Sequence, residues 1–240
     1  MRGEIEIPEI ADKWTTVPVV SLDILAPEEV QAGEDMAIRV VLTNNKTGHD
    51  FPTGPLDMIE SWIEVMVVDQ SGNVVFHSGA LDANGDMQDP ELVYKADGFD
   101  RKGELIDRHN LWDLVGASYK RSLYPGATDA VEVGFQCPSM ARRRLVDSNA
   151  GKGERARDIT ITSPEGDSGG ELTVTAVLWY RKANPEFLDR VYGVDKAVRS
   201  PLTEMSRASS TIRIKENAEL SSRQPDTDIA TSTKAGIGAF

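Results

Sequence analysis

Three histidines and one cysteine are the residues best suited to chemistry in this 240-residue chain. His49 stands in Thr47-Gly48-His49-Asp50-Phe51-Pro52-Thr53-Gly54-Pro55. Glycine and proline on both sides shape a tight loop at the end of a strand. A histidine held in that way either ligates a metal or haem or acts as a hydrogen-bonding strut that locks the loop. His109, in Asp107-Arg108-His109-Asn110-Leu111-Trp112, has a second unusual setting. His77, in Val75-Phe76-His77-Ser78-Gly79, reads as an ordinary strand-end residue. Cys137 follows a strand-like run and precedes Pro138, the setting of a packed thiol. A single thiol excludes an internal disulfide, a Cys-x-x-Cys-His haem attachment and any Cys-rich zinc or iron–sulfur site. Any haem is therefore non-covalent or belongs to a neighbour.

One acidic loop has the composition of a hard-cation site. In Asp82-Ala83-Asn84-Gly85-Asp86-Met87-Gln88-Asp89, the candidate oxygen ligands are Asp82, Asn84, Asp86 and Asp89, which suits calcium. The loop departs from an EF-hand, because Gly85 comes one step before the middle ligand and Val93 stands where the twelfth-position glutamate belongs. The alternative is a polar turn between strands. No Gly-x-Ser-x-Gly elbow, Walker loop, Gly-x-Gly-x-x-Gly or His-Glu-x-x-His occurs, so no catalytic constellation emerges.

Composition narrows the class further. Hydrophobic residues at 40% and charged residues at 27% are those of a globular protein, which excludes disorder throughout. The 26 basic and 39 acidic residues leave a net charge of −13, the wrong sign for a duplex nucleic-acid binder. The one dense basic cluster, Arg142-Arg143-Arg144, reads as a solvated loop, with a contact to an acidic partner as the alternative. No apolar run approaches the ~20 residues that span a bilayer. The first residues, Met1-Arg2-Gly3-Glu4-Ile5-Glu6, lack the apolar stretch of a signal peptide. A cytosolic chain, numbering after processing, and export with a partner all stay open on that point.

The elements that must carry these residues are strands. Runs at 17–25, 36–44, 58–69, 74–77, 130–135, 159–161, 172–180 and 211–214 give about eight strands. Asp69-Gln70-Ser71-Gly72-Asn73 is a hairpin loop between two of them. In 172–179, Leu172, Val174, Ala176 and Leu178 alternate with Thr173, Thr175, Val177 and Trp179, the pattern of a strand with one face on a core. Asn184-Pro185-Glu186 opens a short helix, with Asn184 as N-cap and Pro185 at the first helical position. A second short helix is expected after Asn110. The expected fold is all-β: an immunoglobulin-like antiparallel β-sandwich with long inserts, one or two short helices and extended termini. The insert 79–125 is long for a connection and carries Trp112, Tyr119 and Tyr124 as aromatic anchors.

The ends differ from the sandwich, expected at 17–215. The tail 216–240 has only Leu220, Ile229, Ile237 and Phe240 as large apolar residues, too few to offset the entropy of ordering it alone. The tail, through those four residues, and less strongly the arm 1–16, are expected to lie along a partner protein.

Several segments resemble a known family. Asn44-Asn45-Lys46-Thr47-Gly48-His49-Asp50-Phe51-Pro52-Thr53-Gly54 is similar to a motif of the haem-free C-terminal β-sandwich domain of bacterial multihaem c-type cytochromes. Glu60-Ser61-Trp62-Ile63-Glu64-Val65, Asp69-Gln70-Ser71-Gly72-Asn73, Ser78-Gly79-Ala80-Leu81-Asp82, Asp107-Arg108-His109-Asn110-Leu111-Trp112, Tyr124-Pro125-Gly126-Ala127-Thr128-Asp129 and Leu178-Trp179-Tyr180-Arg181-Lys182 follow in order. The resemblance spans residues 17–195. The haem-binding motifs that precede this domain in the family are missing here, so the resemblance carries the sandwich and not electron transfer by the chain's own haems. It implies an extracytoplasmic, periplasmic setting beside redox proteins. It also implies that a histidine of such a module can cap a neighbour's haem, with His49 and His109 the candidates.

The reading is a haem-free structural subunit of a multihaem cytochrome or other redox complex. It has no cofactor of its own beyond calcium at the Asp82 loop, no nucleic-acid partner and no membrane-spanning segment. Two rivals stand beside it. One is a b-type electron-transfer subunit gripping haem with histidine, lysine or one of Met58, Met66, Met87 and Met140. The other is an enzyme dependent on a metal at the Asp82 loop.

Overall fold

Alternation of β-branched and apolar residues with polar ones drives almost every element of this chain into strands. The computed structural model describes residues 16–55, 57–145, 157–162 and 170–215. The arm up to residue 15 and the tail 216–240, with Leu220, Ile229, Ile237 and Phe240, lie outside the described residues. The strands are β1 (Val20–Leu25), β2 (Glu29–Gln31), β3 (Asp35–Asn44), β4 (Glu60–Asp69), β5 (Val74–Ser78), β6 (Val93–Tyr94), β7 (Ala96–Phe99), β8 (Gly116–Lys120), β9 (Thr128–Gln136), β10 (Met140–Leu145), β11 (Arg157–Thr162), β12 (Gly170–Arg181) and β13 (Leu202–Lys215). The one α-helix described is α1 (Pro185–Tyr192). The fold class is all-β with little helix, as expected.

Two sheets enclose the core. One has the order β1-β3-β9; the other runs β2-β13-β12-β4-β5, with β6 added to β4. Pairing is antiparallel apart from the β2–β13 contact. The inward positions of the first sheet, Val20, Leu22, Ile38, Val40, Leu42 and Val133, share one cluster with Ile63, Val65, Val67, Leu172, Val174, Leu178 and Ile212 of the second. Each such side chain, once fully buried, contributes about 2 kcal/mol relative to exposure. The alternation read in 172–179 holds in that Leu172, Val174, Ala176 and Leu178 are all buried, but Val177 of the other face is buried too.

Several elements differ from the expectation, each for a tertiary reason. β13 begins at Leu202, far earlier than the apolar run at 211–214, because β12 pairs with it along its whole length. β2 is too short for any periodicity and exists through its parallel pairing with β13. Arg142, Arg143 and Arg144 lie on β10, paired with β11, and not in a loop. The helix expected after Asn110 is a single 3-10 turn at Leu111–Asp113 that buries nothing. The insert 79–125 carries the short strands β6, β7 and β8 within a mostly irregular path. Among the described residues, no helix is long and apolar enough to cross a membrane.

The helix α1 forms as its sequence demands. Asn184 Oδ1 accepts the Phe187 N–H at 2.8 Å, and Pro185 opens the first turn. Gly193 ends it, donating its N–H to the Asp189 carbonyl at 2.8 Å.

Candidate functional site

The insert is the part of the molecule with surface to offer, and two polar networks hold it against the sandwich. In the first, Arg121 clamps Asp129 of β9 through Nε and Nη2, both at 2.9 Å, while the buried Tyr94 donates its hydroxyl to the same carboxylate at 3.0 Å. Burial resists ionisation of Asp129, but the Arg121 and Tyr94 hydrogen bonds outweigh it and keep the carboxyl below its ordinary value. Burial, reinforced by the Asp129 charge, pushes the Tyr94 phenol up. In the second network, Arg181 of β12 is 2% exposed, lies 5.2 Å over the Trp62 ring, pairs with the buried Glu60 and donates Nη1 to the Gly85 carbonyl at 2.7 Å. Desolvation raises the Glu60 carboxyl despite that partner. A cavity of about 180 Å³, lined by Glu60, Asp86, Met87, Arg181, Pro185, Glu186 and Asp189, opens beside this pair.

The residues proposed for calcium are found in a tight hairpin. Asp82 Oδ1 accepts the N–H groups of Asn84 and Asp86 at 2.8 and 2.9 Å. Those bonds, the Asp86 one foremost, hold the Asp82 carboxyl below the usual range. Asp86 gives both oxygens to Arg199, at 2.8 and 3.2 Å, and Arg199 also binds Asp189 of α1 at 2.7 Å. Asn84 is exposed, and the Asp89 carbonyl accepts the Ser78 hydroxyl at 2.9 Å. The same bonding recurs at Asp69–Asn73 and Asp100–Glu104. In each, the leading aspartate accepts the N–H four residues on, and a glycine three residues on has φ of 83–85°. The loop at Asp82 is therefore one of three copies of an Asp-x-x-Gly-x hairpin turn. Among the described residues, no group of three or more His, Cys, Asp or Glu is placed to hold a metal ion.

His49 sits in a loop organised by Asn44. The buried Asn44 side chain donates Nδ2 to the His49 and Leu123 carbonyls at 3.2 and 3.0 Å, and accepts the Thr47 N–H at 3.0 Å. The Phe51-Pro52 peptide is cis, and Phe51 bridges to Leu123. The His49 backbone carbonyl is thus the anchor; its ring is exposed and donates Nδ1 to the Asp50 carbonyl at 2.9 Å. His77 lies on β5 as expected, its Nε2 2.8 Å from Glu64 Oε1, while Trp179 donates to the other Glu64 oxygen at 2.6 Å.

His109 is where three segments meet. Its Nδ1 lies 3.2 Å from Asp57 Oδ1, and its ring meets Phe187 of α1 edge-on at 6.4 Å. Asp107, two residues earlier, pairs with Arg190. Asn184, the α1 cap, donates Nδ2 to the Asp57 carbonyl at 3.1 Å and so ties the loop after Pro55 to the helix. His109 itself has φ 58°, a left-handed conformation that costs an L-residue about 1–2 kcal/mol. Asp57 is the residue that sequence reasoning missed, because nothing within its own neighbourhood marks it.

Around His109 the chain turns apolar side chains outward. Trp112 is 82% exposed, and Leu105, Leu111, Leu114 and Val115 are exposed with it. Trp112 therefore does not anchor the insert as expected; Tyr94 does. On α1, Val191 lies four residues after Phe187, on the face turned to His109, and it and Tyr192 are exposed too. The sole cysteine, Cys137, is buried, and burial pushes its thiol up, in keeping with a packed residue.

No family model matches this sequence, and no curated protein matches it. Among solved structures, the chain is similar to a penta-heme cytochrome c552 from Thermochromatium tepidum, at 16% identity and a TM-score of 0.46. That likeness covers 81% of this chain and 39% of the cytochrome. A second is Spo0M, a sporulation control protein from Bacillus subtilis, at 10% identity and a TM-score of 0.30, covering 85% of this chain and 53% of that one. The chain spans well under two thirds of the length of either protein. Both are distant likenesses, below the level at which a shared fold follows.

Proposed function

We propose that this chain is a haem-free structural module that fastens partner proteins in an extracytoplasmic redox complex. The observation that carries the fastening role is the run of exposed apolar residues around Trp112, mounted on a rigidly tied insert. An isolated surface leucine is ordinary, but Leu111, Trp112, Leu114 and Val115 in succession form a patch that water disfavours. Tryptophan is also the residue type most enriched among those that dominate binding energy. The two anchoring networks supply rigidity, which lowers the ordering cost of association. The redox setting rests on the sequence resemblance. Contact with a partner's haem through His49 or His109, and docking of the tail through Leu220, Ile229, Ile237 and Phe240, belong to the same proposal.

The test is capture of partners from native extract by the full chain, followed by visible spectroscopy of both fractions. The expected result is a haem-bearing partner that is lost with Trp112→Ala, while the chain alone has no Soret band. A Soret band in the purified chain would turn the reading into a b-type cytochrome. Capture that ignores Trp112 would remove the docking face.

A further inference from the structure

The cavity of about 180 Å³ beside α1 takes no part in the docking face, and its charges do not balance. Glu60, Asp86, Glu186 and Asp189 line it against a single guanidinium, that of Arg181. Arg199 answers two of the carboxylates, Asp86 and Asp189. Glu186 has no ion-pair or side-chain hydrogen-bond partner among the described residues. The Glu60 side chain is 7% exposed, and of its two oxygens Oε1 is the one bonded to Arg181. Among the described residues, the side-chain atoms sealed from solvent without a partner are Lys46 Nζ and Asp57 Oδ2. Glu60 Oε2 has no partner there either, so it is open to the cavity that Glu60 lines. Burial raises the Glu60 carboxyl, Arg181 offsets this in part, and the Glu186 charge adds to the rise. A buried carboxylate with an open oxygen and a like-charged neighbour calls for a second cation.

Spacing and walls say which kind of cation. Among the described residues, no group of three or more His, Cys, Asp or Glu is placed to hold a metal ion. An ammonium needs no such convergence, since its three N–H donors reach acceptors set well apart. It also carries an aliphatic stem, for which Met87 and Pro185 supply apolar wall. The volume falls below the ~300–1,000 Å³ of sites for drug-sized ligands, so it suits a short chain.

We propose that this cavity is a site for an alkylammonium group, its nitrogen between Glu60 and Glu186 and its stem against Met87 and Pro185. The group arrives as a free short amine or as the lysine side chain of another protein. The site is separate from the Trp112 patch. On α1, Glu186 and Asp189 share the face turned to the cavity, whereas Phe187 and Val191 share the one turned to His109.

The experiment follows the Gly85 and Met87 amides of the full chain by NMR at neutral pH. The probes are n-butylamine and Nα-acetyl-lysine N-methylamide, with n-butanol and acetate as charge controls. Saturable shifts are expected with both amines, weakened by added salt and absent with the controls. Tighter binding of butylamine assigns the site to a free amine, and tighter binding of the lysine amide assigns it to a side chain. Glu60→Gln should weaken binding roughly 10-fold or more, as loss of a buried charge-assisted bond does. Glu186→Gln, at an exposed position, should weaken it roughly 2- to 5-fold. Glu132→Gln, exposed on β9 of the other sheet, should leave it unchanged. Thermal melts of each variant establish folding, and Glu186→Gln carries the test should Glu60→Gln unfold. No saturable shift with either amine would overturn the proposal, as would butanol binding as well as butylamine or unchanged affinity in both folded glutamine variants. Shifts with acetate in place of the amines would make this an anion site of Arg181 and overturn it equally.

Discussion

The two histidine loops, both singled out by their sequences, are built to opposite plans. The His49 loop is closed inward. A buried neutral amide, Asn44, binds its backbone, and the histidine contributes its carbonyl while its ring only reaches the next residue. The His109 loop is open outward. Its backbone is strained, its ring is held by the buried Asp57, and its neighbours Leu111 and Trp112 face solvent. The difference teaches that glycine and proline around a histidine report a shaped backbone, whereas a ring available for chemistry is reported by what stands behind it.

The strongest way to break this comparison is at Asn44. Asn44→Ala removes the bonds to His49, Thr47 and Leu123 at a fully buried position, and should cost about 2–3 kcal/mol in denaturant unfolding. A cost below that of exposed substitutions would show that the loop is not organised from this residue. Trp112→Ala should do the reverse. It should leave stability within about 0.5 kcal/mol, as exposed positions do, yet weaken partner capture by roughly 30-fold, the loss of a ~2 kcal/mol hot spot.

Acid should separate the two regions next. Asp82 and Asp100 of the insert are held below their ordinary values by backbone N–H bonds, chiefly from Asp86 and Glu104. A carboxyl depressed on folding stabilises the fold fully above its unfolded pKa of about 3.9, and that contribution is lost as pH falls through the folded value. Amide protection of the insert should therefore fall progressively below roughly pH 5, before protection of the amide-tied His49 loop. Equal loss in both would contradict the distinction. The smallest effect is expected of His49→Ala. Its ring is exposed and its anchor is backbone, so melting should shift by no more than the equivalent of about 0.5 kcal/mol.

Local features were legible in the residues themselves. The alternation in β12, the Asn184–Pro185 start of α1 and the Asp69 hairpin all depend on contacts within about four residues, which the order of side chains dictates. The acidic loop at Asp82 reads two ways for the same reason. Oxygen ligands at close spacing and a hairpin turn draw on the same residue types, and only the placement of N–H donors tells them apart. Long-range pairing lay beyond the residues' order. Asn44 meets Leu123 across 79 positions, Asp57 meets His109 across 52, and Glu60 meets Arg181 across 121. Which strands become neighbours is settled by burying one shared core, so the partner of a polar side chain, and with it the fate of each histidine, was decided only when the sheets closed.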